Sequence, residues 1–307
     1  MPRPSHALLL CLLLVLGAAP LRAQPAPTSE GTDLRWVAVG DVHGDLSALK
    51  RALRLGGLVD ESDNWTGGTT VLVQTGDFMD RGSDEIAILD YLDALAPKAN
   101  AAGGSVRCLM GNHEFINLDL IFPYVTKEGF VSFNKLYPQA LNDKDLARYP
   151  AHKRGRVFAL RPGGPFAKRL SKLPVFVKLG DTLFVHGGLS EGSIAYGLDR
   201  LNADLAAWAR GETPTAPEPL RHTKNPLWLR EWSKDTRKRD CPRLHQLLQQ
   251  VGARRLVVGH TVQPHINSYC DGAVWRIDTG NSKAMDGRTE VLVFDHGTLT
   301  VLPLTTK

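Results

Sequence analysis

Cysteine is scarce in this 307-residue chain: there are four, none in C-x-x-C or zinc-knuckle spacing, so thiolate metal clusters and thioredoxin-like redox chemistry are excluded. Cys11 lies in the N-terminal apolar stretch, and Cys108, Cys241 and Cys270 leave room for one internal disulfide, with Cys241 and Cys270 the pair an oxidising compartment would permit. Cys108, at the end of an apolar run, reads as a small buried residue. There is no P-loop, no dinucleotide fingerprint and no internal repeat. Aromatic residues make up 7% and are not interleaved with the basic ones densely enough for a nucleic-acid face, so nucleic acid is not an expected partner. No apolar run has the length of a membrane span; Ala7 to Ala19 stops at thirteen residues.

Thirteen is instead the length of a signal-peptide core, preceded by Arg3 and free of acids until Glu30. The reading is a signal over residues 1–23, cut after Ala23 although Leu21 is large for the third position before a cut. A linker over 24–33 and a catalytic domain over 34–305 follow. The mature protein is expected to be secreted or periplasmic, without stable membrane insertion. An organelle lumen is the alternative, disfavoured because a transit peptide is amphipathic rather than a solid leucine block.

Charge of one sign is nearly balanced. The net +5 falls to +3 once Arg3 and Arg22 leave with the signal. The excess is concentrated between Ile121 and Lys178, with twelve Lys or Arg against three acids. That segment breaks the pattern around it and reads as a partly helical insertion over about 121–178. Its charges are either a solvated surface or, for Arg154, Arg156, Arg161, Lys168 and Arg169, the lining of an approach that steers anionic substrates.

Five apolar runs each end in a glycine and a metal-binding side chain: WVAVGD, VLVQTGD, VRCLMGN, TLFVHGG and RLVVGH. Runs of this length and composition are buried strands, and ligands gather where such strands end. Helical spacing over Asp45–Leu55 and Ser83–Leu95 between them gives a strand, ligand loop, helix rhythm. Strands return at Val274–Asp278, Val291–Asp295 and Leu299–Leu302. Asp41, His43 and Asp77 can hold one ion, and Asp77, Asn112, His186 and His260 a second, with Asp77 as the bridge. Imidazole, carboxylate and amide donors without thiolate suit two divalent ions, manganese, iron, zinc or nickel, and disfavour copper(I) and magnesium. His113 follows ligand Asn112 and is placed to donate a proton. Asp80 is placed to orient that imidazole or, alternatively, to pair with Arg81, whose guanidinium suits phosphate oxygens. Arg230 between Trp228 and Trp232 is a second phosphate-binding guanidinium held by stacking, or a structural one. The two tryptophans are i,i+4 neighbours if helical, with core packing as their default role.

The motifs GDVHG, GDFMDRG, GNHE and HGG, in this order, resemble the signature set of the PPP-type phosphoprotein phosphatases within the calcineurin-like metallophosphoesterases. NPLWLREW, VVGHTVQ and RIDTG are similar to the Shewanella-like branch. The resemblance spans residues 34 to 300. It implies an α/β sandwich of two mixed β-sheets flanked by helices. It implies Asp41, His43, Asp77, Asn112, His186 and His260 as metal ligands, His113 with Asp80 as the acid pair, and Arg81 on phosphate. The implied reaction is phosphomonoester hydrolysis by attack of a metal-bridging hydroxide, with His113 as general acid.

Met79 replaces the usual valine or tyrosine of the second motif, and nothing resembles the C-terminal SAPNY element, so substrate choice does not transfer from the mainstream enzymes. The expected substrate is a phosphorylated protein, peptide or small phosphoester, with Ser/Thr against Tyr left open. The alternatives are a dinucleoside polyphosphate or nucleotide hydrolase, and a non-catalytic anion-binding protein. His113, Asp80 and Arg81 argue against the last, since a binder has no use for a placed proton donor.

Overall fold

In a computed structural model, residues 1, 34–234, 236–285 and 287–304 of the chain are described. Apart from Met1, the proposed signal over 1–23 and linker over 24–33 lie outside the described residues.

The strands are β1 Trp36–Val39, β2 Val71–Gln74, β3 Ser105–Cys108, β4 Phe176–Leu179, β5 Thr182–Val185, β6 Arg255–Val258, β7 Asn267–Tyr269, β8 Val274–Arg276, β9 Glu290–Asp295 and β10 Thr298–Pro303. They form two five-stranded sheets, ordered β10-β9-β1-β2-β3 and β4-β5-β6-β8-β7. Both sheets are mixed: β1, β2 and β3 are parallel, β9 runs against them, and β10 is antiparallel to β9. In the second, β5, β6 and β8 are parallel and flanked by antiparallel β4 and β7.

Alternation along β1 shows how the layers are built. Trp36 and Ala38 face the second sheet in a cluster with Val73, Leu109, Phe184, Val257 and Leu292, whereas Val37 and Val39 pack outward in the cluster that includes Leu49, Leu53 and Ile88. A strand's period of two thus serves two different cores. Trp36 fixes the contact between sheets, edge-on to Phe184 of β5 at 5.0 Å and stacked on Phe294 of β9 at 5.3 Å. Such aromatic pairs contribute about 0.5–1.5 kcal/mol beyond their buried area.

The helices are α1 Leu46–Leu55, α2 Glu85–Ala101, α3 Asn112–Leu118, α4 Lys127–Leu136, α5 Arg154–Leu160, α6 Pro165–Leu170, α7 Glu191–Tyr196, α8 Leu198–Ala209 and α9 Cys241–Gln250. Asp45 caps α1, accepting from the Ala48 N–H at 2.9 Å, and Gly56 ends it. The second helix passes the expected end at Leu95 and continues through Pro97 to Ala101, where buried Ala99 adds to its packing. The insertion is partly helical as expected, built of α4, α5, α6 and short 3₁₀ turns. A Cys241–Cys270 disulfide, Cα–Cα 5.2 Å, ties the start of α9 to the turn after β7, and Cys108 is free and buried.

Two sequence expectations need correction here. Residues 226–234 form turns, not a helix, so Trp228 and Trp232 do not share a helical face. Trp232 is buried under the Arg243 guanidinium at 5.4 Å, and half-buried Trp228 stands edge-on to His260 at 5.6 Å. Three of the five basic residues considered for a steering approach are engaged within the fold. Arg154 donates to the carbonyls of Leu141, Ala147 and Tyr149, Arg169 pairs with Asp90 and Asp93 of α2, and Arg156 is wholly buried. Backbone carbonyls and acids within reach satisfy these guanidinia better than solvent does.

Candidate metal centre

Five strand ends, β1, β2 and β3 from one sheet and β5 and β6 from the other, deliver the motif residues to one edge of the sandwich. The loops after β2 and β3 touch: a Cβ on Gly76, which has φ +93, would stand 2.5 Å from the Gly111 nitrogen, and one on Gly111 would stand 2.2 Å from Asp77 Oδ1. Only glycine permits that approach. His43, Asp77, Asp80, Arg81 and His260 all have positive φ without being glycine, a strain that persists only where surrounding contacts over-determine it.

Asp41, His43, Asp77, Asn112, His113, His186 and His260 are all buried and close together. Two groups place their ligand atoms within 4.8 Å of one another: His43, Asp77 and His113, and Asp77, His186 and His260. Asp77 belongs to both, the position of a bridge. Asp41 stands just outside, its Oδ2 4.0 Å from His43 Nε2 and its Oδ1 4.0 Å from His186 Nδ1. His113 lies inside one triad, with Nε2 3.8 Å from Asp77 Oδ2.

The hydrogen bonds set which atoms carry lone pairs. His186 Nδ1 lies 2.9 Å from the Thr75 carbonyl and His43 Nδ1 3.1 Å from the Met79 carbonyl, so both rings donate from Nδ1 and turn Nε2 inward. His186 Nε2 then faces two other acceptors, Asn112 Oδ1 at 2.8 Å and Asp77 Oδ2 at 3.3 Å. A bound cation relieves such a convergence of acceptors. His260 is buried and brings a further ring nitrogen to the second group. This donor set fits divalent cations.

Electrostatics agree. Burial lowers the His43 imidazole to about 4, and burial with the neighbouring His186 lowers His260 to about 2, so both are neutral, as ligands must be. Burial opposes charge on His113 and His186 too, yet Asp77 beside them raises both above the ordinary value. Burial would raise Asp77, but His186, His113 and His43 hold it well below the usual carboxylate range. Asp41 is raised well above that range by burial and by Asp278.

His113 Nδ1 is 2.8 Å from Asp80 Oδ2, the pairing the sequence suggested. Asp80 does not take up Arg81; its other ion-pair partner is Arg156 at 3.0 Å. The Arg81 guanidinium lies 4.9 Å over the Tyr124 ring, with Nε buried and unpartnered. Arg230 is not held by tryptophan stacking: its Nη1 donates to the His260 carbonyl at 3.0 Å and to Thr261 Oγ1 at 2.9 Å, which fixes it beside the cluster. His152, His222, His245, His265 and His296 join neither triad.

Sequence reasoning missed several residues. Glu114 accepts the backbone N–H groups of Asp77, Met79 and Gly111 at 2.8, 2.9 and 2.8 Å, stapling two ligand loops together. An acid at the third position of α3 was the available signal. Asp278, delivered after β8, faces Asp41; Glu85, Asn117 and Arg156 surround Asp80. Local pattern gave no sign of Glu85 or Asn117, while Asp278, within RIDTG, and Arg156, among the basic residues of the insertion, were noted without these partners.

Residues 34–264 match the calcineurin-like phosphoesterase family. The chain belongs to that family. It is 39% identical over 290 residues to Shewanella-like protein phosphatase 2 of Arabidopsis thaliana, covering 84% of this chain and 74% of the relative. It is 33% identical over 267 residues to Shewanella-like protein phosphatase 1 of Plasmodium berghei, covering 81% and 69%. A solved cold-active protein-tyrosine phosphatase of a psychrophilic Shewanella species is similar with TM-score 0.68 and 27% identity, over 89% of this chain and 81% of that one. The protein is therefore a phosphoesterase, a hydrolase acting on phosphoric ester bonds, and its site is suited to a divalent metal pair.

Metal uptake by this phosphoesterase should release protons. Burial lifts Glu114 to about 7 and Asp278 to about 6, and Asp41 and His186 are also raised, so the metal-free centre carries protons near pH 6.5 that bound cations expel. Apparent metal affinity should accordingly rise with pH between about 6 and 7.5. Titration calorimetry in buffers of different ionisation enthalpy reads this directly; heats independent of buffer would mean that the groups are already deprotonated.

Proposed function

We propose that this phosphoesterase hydrolyses phosphomonoesters on phosphorylated proteins or peptides. The observation that carries the reading is the placement of the His113–Asp80 pair and of the Arg81 and Arg230 guanidinia around one cluster of inward-facing acceptors. Asp41, His43, Asp77, Asn112, His186 and His260 would hold two divalent cations, with manganese the first to try. Cations so held supply positive charge to phosphoryl oxygens and activate water.

The chain's own groups supply the rest. Arg81 and Arg230 bind phosphate oxygens and neutralise charge as the transferring group develops it. Asp80 accepts the His113 Nδ1–H and fixes the ring, so that Nε2 carries the proton delivered to the departing alkoxide or phenoxide. Water contributes the oxygen that ends on phosphate. The protein substrate rests on the relatives' names and on a cavity of about 720 Å³ beside the centre, lined by Phe115, Ile116, Trp208, His222 and Trp228, with room for residues flanking the phosphate. Export by the signal over 1–23 is part of the same proposal.

The test is phosphate release by the metal-stripped mature domain, with and without manganese, on phosphotyrosine peptide, phosphoserine peptide and diadenosine tetraphosphate. Manganese-dependent release from a peptide is expected, and the two peptides rank the side-chain preference. Turnover of the dinucleotide alone would assign the protein to nucleotide hydrolysis, and no turnover of any would favour an anion-binding protein.

A further inference from the structure

The insertion sends one side chain into the surroundings of the proposed proton donor. Arg156, on α5, is 0% exposed, and each guanidinium nitrogen donates: Nε to Asn117 Oδ1 at 2.8 Å, Nη1 to Glu85 Oε2 at 2.7 Å, Nη2 to Glu85 Oε1 at 2.9 Å and to Asp80 Oδ1 at 3.0 Å. Its face lies 4.8 Å from the Phe133 ring, with Phe122 and Phe130 at 5.7 and 6.0 Å. Asn117 passes the constraint on, donating to both Asp80 oxygens at 3.0 Å and to the His113 carbonyl at 2.8 Å. Glu85 Oε1 also accepts the Asp80 backbone N–H at 2.7 Å.

These contacts fix Asp80 from every side except the one that meets His113 Nδ1 at 2.8 Å. The constraint is needed because Asp80 and Arg81 both have positive φ, a backbone that non-glycine residues keep only when their surroundings enforce it. An ion pair of purely structural purpose is commonly replaceable by apolar packing at no loss. Here an aromatic box already surrounds the site, and apolar packing would have been close at hand. A cation there has a specific effect: it balances Glu85 and Asp80 while leaving one Asp80 oxygen for the imidazole.

We propose that Arg156 is a positioning residue for the proton-transfer step, holding the Asp80 carboxylate so that the His113 ring presents Nε2 to the ester oxygen that departs. The inference rests on the reading of His113 as proton donor. In that step the water-derived oxygen forms a bond to phosphorus as the P–O bond to the leaving group breaks, the proton passes from Nε2 to the departing oxygen, and solvent later reprotonates the ring. The insertion is then part of the catalytic unit, through a contact 76 residues long in sequence.

The experiment compares two leaving groups. Wild type, His113→Asn, Arg156→Lys and the double variant Arg156→Met/Glu85→Gln are assayed as holoenzymes. One substrate is 2,4-dinitrophenyl phosphate, whose leaving group departs without a proton; the other is the faster of the phosphoserine and phosphotyrosine peptides. Lysine keeps the charge but loses the fork, and the double variant removes the cation together with one carboxylate, so neither leaves an added net charge buried. The ratio of the two kcat values is independent of how much of a sample is folded. His113→Asn should raise the aryl-to-peptide ratio about 100-fold or more. The Arg156 variants should raise it about 10- to 100-fold, with KM for each substrate nearly unchanged. A ratio equal to wild type in both Arg156 variants, with His113→Asn shifted, would make Arg156 structural and overturn the proposal. An unshifted ratio in His113→Asn would remove the proton-donor reading and the inference with it.

Discussion

Asp77→Asn should lower metal affinity and phosphate release by about 100- to 4,000-fold, the equivalent of roughly 3–5 kcal/mol for removing one partner of a buried charge cluster, so that the purified protein loses bound metal. Asp77 is the one side chain common to both triads, with three imidazoles around it. The substitution is close to isosteric, and asparagine is among the residues that tolerate the positive φ of 56° at this position. The Asn side chain can still accept the His113 backbone N–H that Asp77 Oδ1 now accepts at 2.9 Å. What is lost is therefore charge, with geometry largely kept. Elemental analysis of the purified variant beside its phosphate release checks this. Full metal content with wild-type turnover would show that the bridge position is wrongly assigned.

Glu114→Ala should cost about 3–5 kcal/mol of stability and about 10 °C in melting temperature. The wild-type side chain is fully buried and accepts three backbone N–H groups from two different loops. Alanine leaves all three buried donors without a partner, each costing about 1–3 kcal/mol, partly offset because a buried carboxylate no longer has to be accommodated. Differential scanning calorimetry of the metal-free domain gives the answer without interference from lost metal affinity. A change below about 1 kcal/mol would mean that water replaces the carboxylate, which the packing around Gly111 leaves little room for. Activity should fall as well, since Asp77 and Gly111 would no longer be held in register.

Much of the fold was legible because its signals are local. Apolar runs leading to glycine marked β1, β2, β5 and β6, and helical spacing over Asp45–Leu55 marked α1. The second helix was placed over Ser83–Leu95, whereas it runs on through Pro97 to Ala101. Buried Ala99 and the contacts of α2 with β3 outweigh the one hydrogen bond Pro97 forgoes near a helix end. The condition for pairing Trp228 with Trp232 at i,i+4, a helix, is not met, yet Trp232 packs in the core as its default role had it.

The sequence by itself determined the chemistry of the centre. Glycine-linked aspartate, histidine and asparagine at strand ends are expensive to bury unless they hold something, and local composition alone identified them and the strands that carry them. Only the tertiary structure decided how those strand ends are divided between two sheets, three from one and two from the other. It also turned Arg156 inward to Asp80, set Asp278 against Asp41 and placed Glu114 across two loops. The physical reason is distance along the chain. A periodic pattern reports which face of an element is buried, but the partner of a buried charge is chosen by whatever the fold brings within 3 Å, and that partner can lie anywhere in the sequence.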